Sequence, residues 1–250
     1  MEITDPYKTM FKRRSIRNYD LTPLDEHALT EISKYLSDLK PLYENIQTEI
    51  KIISSDDVKR RMMKKAPHYL AVFSKVKDGY RTNVGFMLQQ MDLFFSANGI
   101  GSCWQGIPKP KKEVLNSTDL KFVILMAFGK PNEPLYRSSV SEFKRKSLQE
   151  ITNITGADEL FEAVRIAPSA TNSQSWFFTG DKNLIHAYFV KPGFLGSVTK
   201  KYIPINMGIA IYHLMVSVEH FGKNPTIIFD EMAKKNPPQG CEYVASLKVE

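Results

Sequence analysis

The chain has 250 residues, of which 42% are hydrophobic and 24% are charged. These proportions exclude a disordered chain and allow one large or two small globular domains. Its 34 lysines and arginines outnumber its 27 aspartates and glutamates and give a net charge of +7, which suits a phosphate-bearing ligand, nucleic acid or an anionic membrane surface without selecting among them.

The cysteines and the apolar runs indicate the cellular setting. Cys103 and Cys241 lie far apart without a CxxC spacing, and the five histidines have no metal-ligand spacing, so we expect neither disulfides nor a metal site. The longest apolar run, residues 122–128, is too short to span a bilayer, and the N-terminus lacks the apolar segment of a signal peptide. We therefore expect a cytoplasmic protein that binds no membrane, and no motif points to nucleic acid.

The first half opens with a basic motif and continues with helices and strands. The motif, Arg13-Arg14-Ser15-Ile16-Arg17, is either an anion-binding cluster or a solvated basic helix end. A glycine-rich loop at 99–106 carries Trp104, Gln105 and Gly106. The regular elements predicted from hydrophobic spacing are a helix at 24–39, a strand at 48–53, a short basic helix at 56–65, a strand at 67–75, an apolar helix at 83–97 and a buried strand at 121–128.

The second half follows a charged, proline-bearing linker at residues 132–150. The second half contains a polar segment that is either a well-made turn or a place to hold a flat ligand with polar edges. This segment is Ala167-Pro168-Ser169-Ala170-Thr171-Asn172-Ser173-Gln174-Ser175. The regular elements predicted around that turn are a helix at 158–166, a strand pair at 176–178 and 185–190, an apolar helix at 206–221, and short strands at 226–229 and 242–249.

The order of these elements occurs twice, which indicates an internal duplication. Asn83-Val84-Gly85 and Asn206-Met207-Gly208 precede Gly99 and Gly222 by the same interval, with apolar pairs in register between them. Residues 41–47 also match residues 168–174, and two matches in the same order are unlikely to arise by coincidence. We therefore expect two related halves in one chain.

The two copies divide their polar features unequally. Residues 41–47 repeat the Pro, Asn and Gln of residues 168–174, but only the later copy has the small residues Ser169 and Ala170. Only the first copy has the arginine motif and the glycine-rich loop, and Arg145-Lys146-Ser147 is a candidate remnant of that motif in the second. This division predicts one composite site rather than two.

Together these segments resemble the FMN-dependent nitroreductase family, in its branch with a two-lobed, fused pseudo-dimer chain. The family's Arg-Arg-Ser-x-Arg opening is matched by residues 13–17. Its Ala-Pro-Ser-Ser/Ala-x-Asn-x-Gln-Pro-Trp turn is matched by residues 167–176, with Ser175 in place of the proline, and its Gly-Leu-Gly-x-x-Trp loop by residues 99–106. Here the turn follows the glycine loop instead of the arginine motif, which the fused arrangement explains.

The resemblance implies an α+β, internally duplicated, nitroreductase-like fold. Each half would be a mixed, mainly antiparallel sheet packed with helices around a central buried helix. The halves would be residues 1–131 and 151–250, joined by residues 132–150. A fused pseudo-dimer allows a monomer, although a homodimer stays open.

The resemblance also implies which residues bind FMN. Arg13, Arg14, Ser15 and Arg17 would hold the phosphate and the ribityl and pyrimidine side, and Arg17 would tune the flavin. Arg145 would either close on the phosphate or be the remnant of the second arginine motif. The remaining implied flavin contacts are Trp104, Gln105, Gly106, Pro168, Ser169, Ala170 and Asn172.

The implied activity is that of an FMN-dependent oxidoreductase working by a ping-pong mechanism. Electrons would pass from NAD(P)H through FMN to a nitroaromatic, quinone or similar acceptor, and the flavin would carry the chemistry without a catalytic side chain. The alternative is an FMN-binding sensor or storage protein without turnover. Neither the acceptor nor the preference between NADH and NADPH can be read from the sequence.

Overall fold

The structure is a computed structural model that describes residues 5–59, 65–192 and 200–250. The chain divides into two compact units. The first contains Met1–Tyr80 and Gln90–Val140, and the second contains Arg81–Gln89 and Ser141–Glu250. The predicted halves at 1–131 and 151–250, joined by a linker at 132–150, stay a prediction.

The first unit contains a four-stranded antiparallel sheet with the strand order β1-β3-β6-β4. A second, two-stranded antiparallel ribbon pairs β2 with β5. The strands of this unit are β1 (Thr48–Ser54), β2 (Val58–Lys59), β3 (His68–Ser74), β4 (Gly101–Gln105), β5 (Lys109–Pro110) and β6 (Lys121–Gly129). Its helices are α1 (Pro6–Met10), α2 (Glu26–Ser37), the second half of α3 (Tyr80–Ala97) and α4 (Lys112–Leu115).

The second unit contains another four-stranded antiparallel sheet, with the strand order β7-β8-β10-β9. Its strands are β7 (Trp176–Gly180), β8 (Leu184–Val190), β9 (Pro225–Ile228) and β10 (Cys241–Val249). Its helices are α5 (Asp158–Arg165), α6 (Ile203–His220) and α7 (Glu231–Lys235), together with the first half of α3.

The two sheets have the same connectivity, and this confirms the predicted duplication. In each sheet the first and second strands in chain order are neighbours, and an 18-residue helix follows the second strand in the chain. The fourth strand in chain order lies between the second and the third. Gly99 and Gly222 follow the two long helices with φ of +78° and +74°. A left-handed residue at this place ends a helix, and glycine adopts it without steric cost.

Both long helices are largely apolar because they are buried on most sides. Within the first unit, Phe95 of α3 stacks on Phe128 of β6 with ring centroids 4.7 Å apart. Within the second unit, the first half of α3 approaches α6 very closely at Gly208, where an added Cβ would lie 2.0 Å from the carbonyl oxygen of Thr82. This approach requires glycine because any side chain would meet backbone atoms. Across the described parts of the chain, no helix has the length and apolar character needed to cross a membrane.

Two local predictions were wrong. Residues 55–59 form a 3-10 turn and strand β2 instead of the start of a basic helix, because Ser54 and Asp57 cap the turn reciprocally and Val58 pairs with Pro110. Residues 60–64, which complete that predicted helix, lie outside the described residues. The predicted loop at 99–106 instead contains β4, which pairs with β6 from Gly101↔Gly129 to Gln105↔Leu125.

Candidate functional site

In the first unit, the arginine motif runs alongside β4 in an extended conformation. The Ile16 N–H donates to the Ser102 carbonyl at 2.9 Å, and Tyr19 forms an isolated antiparallel β-bridge with Pro131. An added Cβ at Gly101 would lie 2.8 Å from Cγ2 of Ile16, so the two segments nearly touch. The structure therefore brings together two predicted site segments, the arginine motif and the strand that carries Trp104 and Gln105.

Arg13 is buried, with 2% of its side chain exposed, and it faces Asp92 of α3. Its Nε lies 3.0 Å from Asp92 Oδ2, and its Nη2 donates to Ser15 Oγ at 3.1 Å. The second oxygen of Asp92 accepts a hydrogen bond from Ser102 Oγ at 2.6 Å. A buried guanidinium thus meets a fully buried carboxylate, and their charges compensate.

Arg14 and Arg17 are more accessible to solvent than Arg13, and Glu133 contacts both. Glu133 Oε1 accepts hydrogen bonds from the backbone N–H groups of Arg17 and Asn18 at 2.6 and 2.9 Å, and its Oε2 lies 3.5 Å from Nη2 of Arg14. The guanidinium of Arg17 is exposed and forms no hydrogen bond or salt bridge with the residues described in the structure. Arg17 is therefore the cation of the motif that is left for an anionic ligand.

The contacts of Glu133 lower its pKa. The hydrogen bond from the Arg17 backbone contributes most, and the bond from Asn18 and the positive charges of Arg14 and Arg17 act in the same direction. A depressed carboxyl pKa stabilises the fold at pH values above the ordinary pKa of 4.5, and this contribution is lost as the pH falls through the folded value.

We expect Glu133→Gln to remove part of the acid sensitivity of the protein. Wild type should lose about 0.5–1 kcal/mol more unfolding free energy than the variant between neutral pH and about pH 3, since the carboxylate is partly exposed and screened. Urea unfolding at both pH values measures this difference. Equal acid sensitivity in wild type and Glu133→Gln would contradict the assignment.

Trp104 and Cys103 lie on β4 beside the arginine motif. The Nε1 of Trp104 is shielded from solvent and has no hydrogen-bond acceptor among the described residues. Burial raises the pKa of the Cys103 thiol, and the nearby Arg17 and Arg13 only partly offset this rise. The thiol is thus an inert neutral group, whereas the indole N–H is a donor that no described residue satisfies.

In the second unit, the turn after α5 has an unusual backbone. Thr171, Asn172 and Gln174 have φ of +54°, +58° and +45°. Positive φ is common for asparagine but uncommon for glutamine and strained for β-branched threonine. Strained segments of this kind occur where the surroundings hold the backbone firmly, often at functional sites.

Arg145 and Lys146 hold this turn from one side. Arg145 Nη1 donates to Asn172 Oδ1 at 2.6 Å, and its Nη2 donates to the carbonyl of Ile166 at 3.3 Å, where α5 ends. Lys146 N–H donates to Gln174 Oε1 at 2.8 Å, and its Nζ donates to the Gln174 carbonyl at 3.1 Å. The structure therefore joins two predicted site residues of this unit, Arg145 and Asn172.

Asn206, in the first turn of α6, holds the turn from the other side. Its Oδ1 accepts from the Ala170 N–H at 3.0 Å, and its Nδ2 donates to Ser173 Oγ at 3.2 Å. Pro168 is buried, whereas Ser169 and Ala170 are half-buried. The buried Asn206 side chain thus fixes the position of the small residues at the start of the turn.

We expect Asn206→Ala to loosen the turn and to lower the free energy of unfolding by about 1–2 kcal/mol, because the Ala170 N–H loses its acceptor. The matched control is Ser217→Ala near the end of the same helix. Ser217 is buried and its hydroxyl has no partner among the described residues, so this change should be close to neutral. Equal losses in the two variants on thermal unfolding would contradict the prediction.

Four supporting residues were not identified from the sequence: Asp92, Glu133, Gln174 and Asn206. Asp92 is the only acid in the mostly buried helix α3, and this isolation is a usable signal. Gln174 and Asn206 recur in register in the duplication, so the repeat marked them without revealing their contacts. Glu133 lies in a charged segment without periodicity, and nothing in the sequence marks it.

Comparisons with known proteins agree with this architecture. A family model described as "Putative TM nitroreductase" matches residues 5–218. The structure of a putative nitroreductase from Thermotoga maritima superposes with a TM-score of 0.68 at 19% identity, covering 99% of this chain and 95% of that one. At this identity the likeness shows the fold.

Other solved structures match a smaller part of the chain. A nitroreductase family protein from Clostridium difficile 630 has a TM-score of 0.46 at 16% identity, covering 60% of this chain and 96% of its own. An FMN-dependent nitroreductase from Clostridium difficile R20291 has a TM-score of 0.45 at 17% identity, covering 54% and 93%. A comparison with curated protein sequences gives no match.

Proposed function

The chain belongs to the nitroreductase family described as "Putative TM nitroreductase", and from this premise we propose that it is an FMN-dependent oxidoreductase. It takes a hydride from NAD(P)H and passes electrons to a nitroaromatic, quinone or similar small acceptor in alternating steps. FMN, when bound, supplies the hydride-transfer chemistry. The side chains of this protein bind, orient and tune it.

The observation that carries the proposal is that two polar groups on or beside β4 lack a partner among the described residues. Arg17 has an exposed guanidinium without an ion pair among the described residues, and Trp104 has a shielded indole N–H without an acceptor. A cation and a donor without partners suit a ligand that is anionic and rich in acceptors. FMN has both properties, since it carries a phosphate and several carbonyl groups. The residues of this unit therefore fit the cofactor.

The residues proposed to bind FMN include side chains of each unit. In the first unit, Arg17 would place a positive charge near the pyrimidine edge of a bound flavin, and Glu133 accepts a hydrogen bond from the Arg17 backbone N–H. In the second unit, the small residues Ser169 and Ala170 of the turn at 168–172 would line the face of the flavin ring. The residues proposed to contact FMN are Arg14, Ser15, Arg17, Trp104, Gln105, Gly106, Arg145, Pro168, Ser169, Ala170 and Asn172, and Arg13 is proposed to hold the motif that carries the first three of them.

The test is to incubate the purified protein with FMN, remove free flavin and record the visible spectrum. A yellow protein that bleaches under anaerobic NADH or NADPH, and regains its colour when a quinone or nitroaromatic is added, fits the proposal. A yellow protein that does not bleach with either nucleotide is an FMN-binding protein without turnover. A protein that stays colourless overturns the assignment.

A further inference from the structure

We propose that Asp92 is a positioning residue that neutralises Arg13 and locks the arginine motif onto β4. Arg13 then maintains the shape of the site, and the more accessible cations of the motif meet the anionic ligand. This inference rests on the proposed function, because it assigns different roles to the arginines of the motif that is proposed to bind flavin. The residues involved all belong to the first unit.

The charges of Arg13 and Asp92 are both buried. Arg13 and Asp92 expose 2% and 0% of their side chains, so neither charge is stabilised by water. A charge in such a place requires a partner of opposite sign and hydrogen bonds for its remaining atoms. Asp92 supplies the opposite charge, since its Oδ2 lies 3.0 Å from Arg13 Nε and its Oδ1 accepts a hydrogen bond from Ser102. The contact at Nε is an ion pair without hydrogen-bond geometry. The positive charge of Arg13 is compensated inside the protein.

Asp92 also connects separate segments of the first unit. The Asp92 carboxylate lies on α3, Arg13 lies in the arginine motif, and Ser102 lies on β4 two residues before Trp104. The backbone bond from Ile16 to Ser102 joins the last two segments directly. One buried carboxylate therefore connects three segments, and its loss would let the motif and the strand move apart.

The three arginines of the motif differ in the acids that they meet. Arg13 faces a fully buried carboxylate at 3.0 Å, and Arg14 faces the partly exposed Glu133 at 3.5 Å. Arg17 forms no ion pair within the described residues. A phosphate approaching the motif would meet Arg13 already paired with a buried carboxylate, and Arg17 without a direct ion pair among the described residues. The acids of the first unit therefore assign the structural role to Arg13.

The experiment is a double-mutant cycle on the full chain, with Asp92→Leu, Arg13→Met and the double variant. FMN affinity is measured by flavin fluorescence at several salt concentrations, together with melting temperature. We expect Asp92→Leu alone to weaken FMN binding about tenfold or more, because an uncompensated buried guanidinium distorts the motif. Adding Arg13→Met should restore affinity to within about threefold of wild type with an unchanged salt dependence, since an apolar pair can replace a buried ion pair.

A double variant that binds FMN as weakly as Asp92→Leu, or more weakly, would overturn the inference, because Arg13 would then be needed as a ligand. If the Asp92 variants do not fold, Arg13→Lys decides the question. It keeps a cation opposite Asp92 and should bind FMN within about threefold of wild type, whereas loss of a phosphate-binding fork would weaken binding about tenfold.

The experiment also separates this inference from the proposed function. If wild-type protein does not bind FMN, the proposed function fails. The melting temperatures still test the ion pair, because the double variant should then be more stable than Asp92→Leu. A double variant that is no more stable than the single variant would overturn the role of Asp92.

Discussion

Gly208→Ala is expected to lower the free energy of unfolding by about 3 kcal/mol, close to the upper end of what overpacking usually costs. The new Cβ would lie 2.0 Å from the Thr82 carbonyl oxygen and 2.5 Å from the Phe86 amide nitrogen. These are backbone atoms of α3, so no side-chain rotation can relieve the contact. Two helix backbones within the second unit would have to separate, and their packing would be lost.

The melting temperature of Gly208→Ala should fall by about 6–12 °C, given the size of the chain. Gly222→Ala is the matched control, since an added Cβ there meets nothing within 4 Å while φ is +74°. It should cost roughly 1 kcal/mol from backbone strain alone. Equal losses in the two variants on thermal or urea unfolding would contradict the close helix approach at Gly208.

Arg17→Gln is expected to weaken FMN binding by about tenfold to a hundredfold, which corresponds to one lost charge-assisted hydrogen bond. Arg17 is the motif arginine without an ion pair among the described residues, so no carboxylate of that part of the chain is in direct contact with its guanidinium before a ligand arrives. Salt should weaken binding less in the variant than in wild type, because screening acts on one attraction fewer.

Lys12→Gln is the matched control for Arg17→Gln. It removes the same charge from a neighbouring residue whose Nζ lies 4.6 Å from the centroid of the Tyr136 ring. Flavin fluorescence titration at low and high salt should show affinity within about twofold of wild type for this control. An equally small effect of Arg17→Gln would remove Arg17 from the proposed site.

Hydrophobic spacing predicted the long elements because their burial is recorded in local sequence. The helices predicted at 83–97 and 206–221 correspond to Tyr80–Ala97 and Ile203–His220, and the strand at 121–128 corresponds to Lys121–Gly129. An element buried on most sides must be apolar along its whole length, whatever it packs against. The duplication was readable for the same reason, since equivalent positions face equivalent cores.

The wrong predictions concern short elements whose conformation depends on distant partners. Strand β4 has five residues, with glycine at its start, and it exists because β6 pairs with it from 20 to 28 residues away. Strand β2 has two residues and depends on β5 in the same way. Local composition describes such segments as loops, because their hydrogen-bond partners lie elsewhere in the chain.

The sequence by itself determined the family resemblance, the duplicated α+β architecture and the set of candidate flavin residues, because these depend on residue types at fixed spacings. Only the tertiary structure distinguished the three arginines of the motif. Their side chains are chemically equal in the sequence, and what separates them is the acid each one meets. Asp92 lies 79 positions beyond Arg13 and Glu133 lies 119 positions beyond Arg14. Charge compensation is a property of distance and burial, which the fold creates when it brings such remote residues together.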